Sequence, residues 1–326
     1  MTERLPWHEA QWQRIEIMRA SGRLPHALML RGLRGLGKAA FAQRLALALL
    51  CESSAPPCGE CRGCTLMAAG NHPDFLKVEP EEDKQTIGID QIRALIDHLV
   101  LTTQYRGYKL VIVDPAESMT RQAANTLLKT LEEPPGAAVF ILVCHQSGLL
   151  PATIRSRCQM LEFPLPPTGL AEPWLKARLT DGAPAEELLR LAGGVPFRAL
   201  QLSEEKGAEK PAALFDDLAA LVAGRADPVA VAYGWRAQSA AELGSWFTSL
   251  TSDLIRLKFD ITCESLTHAD LRDPMQPVVR ALDLKALFGL LDLCLEVRWH
   301  SVRQTRVNEQ LLLEDLAIQW AAARPG

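Results

Sequence analysis

The chain has 326 residues, of which 48% are hydrophobic and 23% are charged, and its formal net charge is -4. This length is enough for two or three domains, and the negative charge excludes a uniformly basic nucleic-acid-binding protein. No stretch approaches the roughly 18 apolar residues of a membrane-spanning helix, and residues 1–25 lack the apolar core of a secretory signal, so we expect a cytoplasmic chain.

The first predicted elements are a strand at residues 27–31 and a helix at residues 38–50, joined by the glycine-rich segment GLRGLGKA. The strand sequence ALMLR is a short apolar run, and the helix has helix-forming residues with apolar side chains at helical spacing. A strand, a glycine loop and a helix in this order are the usual context of a phosphate-binding loop.

The glycine-rich segment matches the phosphate-loop pattern in all but one position. Gly32, Gly37 and Lys38 fit G-x-x-x-x-G-K, but Ala39 stands where Ser or Thr would bind Mg²⁺. The glycines and Lys38 could still hold a phosphate weakly at the helix N-terminus, or the glycine turn is retained only for packing. Both interpretations remain open from this segment alone.

Four of the eight cysteines lie close together after this helix. Cys51, Cys58, Cys61 and Cys64 have the spacing C-x6-C-x2-C-x2-C, which offers four thiolates to one ion. Soft thiolate ligands in a closed tetrahedral set select Zn²⁺ and predict a structural site. His72 in place of Cys51, reduced free cysteines, and a redox C-x2-C pair are the alternatives.

Two further strands and a helix complete the predicted nucleotide-binding-type domain. Residues 109–114 (KLVIVD) and 138–143 (AVFILV) are continuous apolar runs, and residues 121–133 have a helical pattern that Pro134 and Pro135 end. Continuously apolar strands that alternate with helices predict an α/β fold with a parallel sheet covered by helices on both faces.

The composition changes after residue 163, and the rest of the chain reads as helical. The segment PLPP at 164–167 is a stiff connector, short helices broken at Gly182 and Gly193 follow, and the polar segment 203–211 marks a second boundary. Later helical patterns include residues 240–259 and 282–299. We therefore predict three domains, at residues 1–165, 166–206 and 207–326.

Several of these segments together resemble the AAA+ clamp-loader family of bacterial DNA polymerase III. They are LPHALMLRG at 24–32, GKAAFAQRLA at 37–46, NHPDF at 71–75, ANTLLKTLEEPP at 124–135, IRSRC at 154–158 and NEQLLLEDL at 308–316. The resemblance implies an AAA+ domain with a zinc module at 51–64, a small helical lid domain and an all-α collar domain.

The resemblance also shows where an ATPase site would have its acidic residues. Asp114 follows the strand KLVIVD at the position of the Mg²⁺-orienting aspartate. Active members place a glutamate next to it to activate water, but this chain has Pro115, which cannot accept a proton. Glu117 lies two residues further on, where we do not expect it to be presented equivalently.

Both phosphate-sensing positions also depart from the pattern of active members. Cys144 replaces the Thr or Asn that follows the strand at 138–143, and a thiol is a weak hydrogen-bonding group. In the later segment GGVPFRAL the family's arginine position falls on Phe197, and Arg198 is displaced by one residue, about 100° around a helix. Together with Ala39 and Pro115, these changes predict that the chain does not hydrolyse ATP.

One catalytic residue of the family is present. Arg157 matches the arginine finger of the SRC triplet, which points at the nucleotide held by a neighbouring subunit, while Ser156 and Cys158 are expected to fix the loop. Arg155 is a weaker candidate. The alternative is a surface role in which Arg157 caps a helix or pairs with Glu162.

The resemblance therefore implies a non-hydrolysing stator in a hetero-oligomer with the motor subunits (tau/gamma) and delta. This assembly places the sliding clamp on primed DNA. The competing interpretations are a self-sufficient AAA+ ATPase, which hydrolysis by the isolated chain would reveal, and a zinc-dependent DNA-binding module, which would show a steep salt dependence of DNA affinity.

Overall fold

The structure is a computed structural model that describes residues 4–101, 107–180, 184–204, 210–303 and 308–323. Within these residues the chain forms two compact units. The first unit contains residues 4–101, 107–180 and 194–199, and the second contains residues 184–193, 200–204, 210–303 and 308–323. No helix in the described ranges is long and apolar enough to cross a membrane.

A five-stranded parallel sheet forms the centre of the first unit. Its strands are β1 (Ala27–Arg31), β2 (Phe75–Val78), β3 (Lys109–Val113), β4 (Ala138–Cys144) and β5 (Gln159–Glu162). Their order in the sheet is β2-β3-β4-β1-β5, and every neighbouring pair is parallel. Strands β1, β3 and β4 confirm the three apolar runs read from the sequence.

Helices cover both faces of this sheet. The α-helices that lie wholly in this unit are α1 (Glu9–Ala20), α2 (Lys38–Leu50), α3 (Arg62–Ala68), α4 (Ile89–Val100), α5 (Arg121–Glu132), α6 (Ala152–Arg155) and α7 (Thr168–Lys176). Successive residues of β4 enter different cores, because side chains alternate along a strand. Phe140 joins the core with residues of α4 and α5, whereas Ile141 joins the core with residues of α1 and α2. The predicted α/β architecture is confirmed.

Helices are the only regular secondary structure among the described residues of the second unit, as predicted. After α8 (Ala185–Leu191), helix α9 (Pro196–Glu204) begins in the first unit and ends in the second. The remaining helices are α10 (Lys210–Ala223), α11 (Pro228–Trp235), α12 (Ala240–Phe259), α13 (Arg272–Ala281), α14 (Leu284–Arg303) and α15 (Glu309–Ala322). Gly244 lets α12 approach α14 closely, since a Cβ there would lie 3.0 Å from the Arg298 nitrogen.

Two of the sequence-based boundaries fall partly outside the described residues. Gly182 and the centre of the polar segment, residues 205–209, lie outside the residues that the structure describes. The break at Gly193 lies between α8 and α9, where Gly193 has a φ of 64°. The division at residues 165 and 206 into three domains stays a prediction.

Candidate functional site

The glycine-rich loop connects β1 to α2, so it lies at the carboxyl end of the sheet. Gly35 and Gly37 have φ values of 85° and 83°, a backbone region that favours glycine. Gly32 instead allows a close approach, because a Cβ there would lie 2.3 Å from the carbonyl oxygen of Phe163. The phosphate-loop pattern identified Gly32 and Gly37. It did not identify Gly35, which has a left-handed backbone conformation like that of Gly37.

Lys38, the lysine of the loop, is bound to the loop's own backbone. Its Nζ donates to the carbonyl oxygens of Gly32 at 2.7 Å and Leu33 at 2.6 Å, and the residue is only 2% exposed. Burial lowers the pKa of Lys38 to about 8, against the opposing effect of the charge on Glu117. Lys38 therefore donates two hydrogen bonds to the loop in the arrangement observed.

Side chains from two other segments pack against the loop. A Cβ on Gly37 would lie 2.2 Å from Leu5 Cδ1, 3.1 Å from His8 Cε1 and 3.2 Å from Phe197 Cε2. His8 Nε2 lies 2.8 Å from the Leu36 carbonyl oxygen, which can only accept, so this ring nitrogen donates. Burial lowers the pKa of His8 to about 4, so the imidazole is neutral at pH 7. Leu5 and His8 carried no recognisable pattern in the sequence.

Phe197, which the sequence analysis matched to a phosphate-sensing arginine, forms part of this packing. Its ring lies 4.8 Å from the ring of Trp174, and its backbone N–H donates to the carbonyl oxygen of Gly35 at 3.3 Å. Arg198 is exposed. The segment that would sense phosphate in an active member therefore contacts the loop through an aromatic ring and its backbone.

Asp114 follows β3 and lies at the same end of the sheet as Lys38. Burial raises the pKa of its carboxyl group, opposed by the charge of Lys77. His145 Nε2 lies 3.9 Å from Asp114 Oδ1, but burial and the charges of Lys38 and Arg34 lower the pKa of His145 to about 3. The His145 ring is thus neutral at pH 7 and does not form an ion pair with Asp114.

Glu117 is bound by the backbone after β4. Its Oε1 accepts from the N–H groups of His145 at 2.9 Å and Gln146 at 3.1 Å. The neighbouring Cys144 is fully buried, and burial followed by the charge on Glu117 raises the pKa of its thiol to about 12. Cys144 therefore remains protonated, and one oxygen of Glu117 is hydrogen-bonded to the backbone that follows β4.

Arg157, the candidate finger, is bound within its own chain. Its Nε donates to Glu132 Oε1 at 2.7 Å, and its Nη2 contacts the same oxygen. Its Nη1 donates to the carbonyl oxygen of Thr153 at 2.9 Å. Glu162, the partner considered in the sequence analysis, pairs instead with Arg31 at 3.1 Å. The pairing with Glu162 was wrong because strand pairing places Glu162 beside Arg31 in neighbouring strands, whereas the contact of Arg157 Nη1 with the Thr153 carbonyl of α6 is the helix cap of the same alternative.

The residues around Arg157 have different environments. Arg155 is half-buried and ends α6, whereas Ser156 is exposed and its hydroxyl donates to the Thr153 carbonyl oxygen at 3.1 Å. Cys158 is 9% exposed, and burial raises the pKa of its thiol to about 12. The buried Cys158 anchors the chain on one side of Arg157, and Ser156 on the other side is exposed. Arg157 therefore lies at the surface.

The four clustered cysteines meet at one point between the end of α2 and the start of α3. The Sγ atoms of Cys51, Cys58, Cys61 and Cys64 all lie within 4.8 Å of one another, and none forms a disulfide. The Sγ of Cys51 lies 3.5 Å from that of Cys58 and 3.9 Å from that of Cys61. A tetrahedral zinc with bonds of about 2.3 Å has sulfur–sulfur edges of about 3.8 Å, so this donor set fits the ion.

Backbone amides orient the sulfur atoms. The backbone N–H groups of Cys58, Cys61 and Cys64 each donate to the Sγ atom of the preceding cysteine in the cluster, at a distance of 3.4 Å. Such donors stabilise thiolates, as second-shell contacts do in metal sites. His72 is not part of the cluster, since its Nδ1 accepts from the Asp74 N–H at 3.1 Å.

Comparison with known proteins relates the whole chain to one family. The family described as DNA polymerase III, delta subunit, matches residues 7–167, and the family of its C-terminal part matches residues 208–322. The chain is 36% identical over 329 residues to DNA polymerase III subunit delta' of Pseudomonas aeruginosa, covering 99% of this chain and 98% of that protein.

The chain belongs to the delta' family of DNA polymerase III subunits. The delta' subunit of Escherichia coli K12 is 32% identical over 318 residues, which cover 96% of this chain and 94% of that protein. A part of the chain is also similar to subunit tau of Salmonella typhimurium, with 35% identity over 146 residues that cover 44% of this chain and 22% of tau. These findings confirm the resemblance stated from the sequence.

In this delta' family member the fold brings some predicted site residues together and separates others. Lys38, Asp114 and Cys144 lie at the carboxyl end of the sheet, where the charges of Lys38 and Asp114 act on each other's pKa. Arg157 follows α6 and the cysteine cluster follows α2. The chain thus has three separate candidate sites: a nucleotide-like site, a surface arginine and a sulfur cluster.

Proposed function

We propose that this chain is a clamp-loader subunit of DNA polymerase III that does not hydrolyse ATP and acts on the ATP site of a neighbouring subunit. The family membership supports a clamp-loader component. The state of the nucleotide-like site and the position of Arg157 support the more specific role. The chain then serves as a stator, a fixed part against which motor subunits move.

The observation that carries this proposal is the composition of the nucleotide-like site. Lys38 is buried on the loop carbonyls, and Ala39 has no oxygen for Mg²⁺. Pro115 supplies no base, and Cys144 is a buried protonated thiol. Four separate requirements of hydrolysis are therefore unmet: the metal ligand at Ala39, the base at Pro115, and the two phosphate sensors at Cys144 and Phe197. The glycine loop instead supports packing of Leu5, His8 and Phe197.

Arg157 is the residue proposed to act in trans. Its side chain is 33% exposed, so the guanidinium can reach a neighbouring subunit. A planar guanidinium meets the charge that develops on a phosphoryl group in the transition state. Arginine fingers supplied in trans contribute about 10³–10⁵ to the rate of GTP hydrolysis.

The partners follow from the family and from similarity to tau. We propose a hetero-oligomer with tau/gamma motor subunits and delta, which opens the sliding clamp and places it on primed DNA in the cytoplasm. DNA synthesis belongs to the polymerase of the holoenzyme. Residues 1–165 form the AAA+ domain, residues 166–206 the lid and residues 207–326 a collar that packs with neighbouring subunits.

We also propose that the cysteine cluster binds a structural Zn²⁺. Cys51, Cys58, Cys61 and Cys64 supply all four ligands, so the ion crosslinks the chain between α2 and α3 and has no open position for substrate. The support is the donor set itself: four sulfur atoms at tetrahedral spacing with backbone N–H donors.

ATP hydrolysis by three samples tests the proposal: this chain alone, its motor partner alone, and the assembled complex with clamp and primed DNA. We expect no hydrolysis by the isolated chain. Arg157→Ala is expected to slow hydrolysis at the site that it completes by at least about tenfold, seen as a slow fraction in a single-turnover experiment. Arg155→Ala is the matched control, because it removes a neighbouring arginine without removing the finger.

Two outcomes would overturn the proposal. Hydrolysis by the isolated chain that disappears in Lys38→Ala would make this chain a self-sufficient ATPase. Unchanged turnover in an assembled Arg157→Ala complex would remove the trans role and leave a purely structural subunit.

A further inference from the structure

Arg157 makes all its strong hydrogen bonds through two of the three edges of its guanidinium group. One edge consists of Nε and Nη2, and both of these atoms contact Glu132 Oε1. Nη1 donates back to the carbonyl oxygen of Thr153 in α6, the short helix that ends two residues before Arg157. A guanidinium has five N–H bonds in a rigid plane, so fixing these two edges also fixes the direction of the third.

The third edge, formed by Nη1 and Nη2, has one hydrogen on each nitrogen left for another acceptor. The Ser156 hydroxyl lies 3.4 Å from Nη1, which is a long contact for a hydrogen bond. Two parallel N–H bonds on one edge match the spacing of two oxygens on a phosphoryl group. The arrangement thus presents a bidentate phosphate-binding edge while both other edges are bound.

Glu132 occupies an unusual position for a carboxylate. It is the last residue of α5, where the partial negative charge of a helix C-terminus disfavours an acid. Its contact with the positively charged Arg157 guanidinium offsets this unfavourable interaction with the helix end. The Glu132 side chain is 48% exposed, so packing in the core is not the reason for a glutamate at this position. The adjacent Glu133 is also exposed, and its side chain makes no polar contact with any residue that the structure describes.

We infer that Glu132 is the positioning residue of the Arg157 finger: with the Thr153 carbonyl, it fixes the guanidinium so that its Nη1–Nη2 edge faces the phosphate of a neighbouring subunit. This inference rests on the proposed function. Glu132 does not touch the nucleotide. Because Glu132 already restricts the orientations of the Arg157 side chain, less conformational entropy is lost when the transition state forms. Glu132 therefore affects the rate of hydrolysis.

The test compares Glu132→Ala, Glu132→Gln and Arg157→Ala in the assembled complex with clamp and primed DNA. We expect Glu132→Ala to lower kcat at the affected site by at least about tenfold, with the KM for ATP changed by less than about twofold. Glu132→Gln keeps an acceptor oxygen for Nε and Nη2 and is expected to recover most of the rate. Glu133→Ala removes the same charge one residue away and is expected to leave kcat unchanged.

A double variant separates positioning from unrelated damage. If Glu132 acts through Arg157, the variant with both Glu132→Ala and Arg157→Ala is no slower than Arg157→Ala alone. Multiplicative losses would overturn the inference, as would an unchanged or faster rate in Glu132→Ala. Thermal unfolding and gel filtration of each complex check assembly, and Glu132→Gln serves as the main variant if Glu132→Ala does not assemble.

The same data distinguish failure of this inference from failure of the proposed function. If Arg157→Ala slows hydrolysis but Glu132→Ala does not, the finger stands and the positioning role fails. If Arg157→Ala has no effect on the assembled complex, both fail together.

Discussion

Lys38 Nζ lies 2.7 Å from the carbonyl oxygen of Gly32, six residues earlier in the same loop. The loop that resembles a phosphate-binding site therefore has an internal cation as its hydrogen-bond donor. Because this loop is closely packed, substitutions in it are expected to change the free energy of unfolding of the isolated chain, without any partner subunit.

The first prediction concerns the pH dependence of stability. Burial lowers the pKa of Lys38 to about 8, so between about pH 8 and its unfolded value near 10.5 the unfolded chain binds more protons. Stability conferred by Lys38 must therefore rise with pH across this window. We expect the difference in free energy of unfolding between the native chain and Lys38→Met to shift in favour of the native chain from pH 8 to 10.5.

Urea unfolding of the two proteins at several pH values measures this difference, and groups common to both, including the cysteine thiols, cancel. The charges of Glu117 and Asp114 raise the pKa of Lys38, whereas that of Arg34 lowers it. Parallel pH profiles would show that Lys38 titrates as an ordinary exposed lysine and that the loop is open in solution.

The second prediction concerns packing on Gly37. Alanine there takes a φ of 83° and brings its Cβ within 2.2 Å of Leu5 Cδ1. Gly22 has a similar φ of 65°, but nothing lies within 4 Å of its added Cβ. Both substitutions cost about 1 kcal/mol of backbone strain, and we expect Gly37→Ala to cost about 1–3 kcal/mol more, as overpacking does.

Denaturant unfolding of Gly37→Ala and Gly22→Ala measures the two costs side by side. Equal losses of stability in the two variants would mean that Leu5 does not pack against the loop.

The third prediction concerns the metal. We expect about one zinc per chain, retained in Cys263→Ser and lost in Cys61→Ser, because Cys263 lies outside the cluster. A site formed only in the folded chain adds about 2.7 kcal/mol when free zinc exceeds the Kd one hundredfold, so chelation should lower the Tm. Zinc affinity should also weaken as pH falls, since thiolates must be deprotonated to bind.

Atomic emission analysis gives the zinc content, and calorimetry with and without chelator gives the change in Tm. Full zinc content in Cys61→Ser would exclude the four-sulfur site, and a chelator-insensitive Tm would exclude its stabilising role.

The fourth prediction concerns the acidic residue of the NHPDF segment. Asp74 is fully buried 3.8 Å from Lys109 Nζ, which also donates to the His98 carbonyl oxygen at 3.1 Å. Removing one member of a buried ion pair leaves the other charge uncompensated, at a cost of about 3–5 kcal/mol. We expect Asp74→Ala to lose about this much stability, and the double variant with Lys109→Met to lose less than the sum of the single losses.

A double-mutant cycle from urea unfolding provides the coupling between the two positions. A loss below about 1 kcal/mol in Asp74→Ala, or strict additivity, would show that the pair does not determine stability.

The central strands could be predicted from the sequence, and the edge strands could not. β3 and β4 are buried at every residue, so their apolar runs identify them. β5 buries one of its four residues, and β2 buries only Val78, so neither has a distinct hydrophobic signal. Their strand conformation depends on pairing with β1 and β3, which no local pattern encodes.

The candidate sites show the same limit. Spacing alone identified the four clustered cysteines, since all ligands come from 14 neighbouring residues. The motif predicts Arg157 as a candidate finger, but its hydrogen-bond partner Glu132 lies 25 residues away and was missed. The contact of Leu5 with the loop was missed for the same reason, because packing between distant segments leaves no periodicity to read.

The contacts of Gly35 determine when the first unit can be completed. Its carbonyl oxygen accepts from the Phe197 N–H, and Val195 packs beside it, yet both residues come after the last strand of the sheet. A fragment that stops at residue 165 keeps all five strands but lacks these contacts. During synthesis on the ribosome, the loop near the start of the chain must wait for about 160 further residues before Phe197 can contact it.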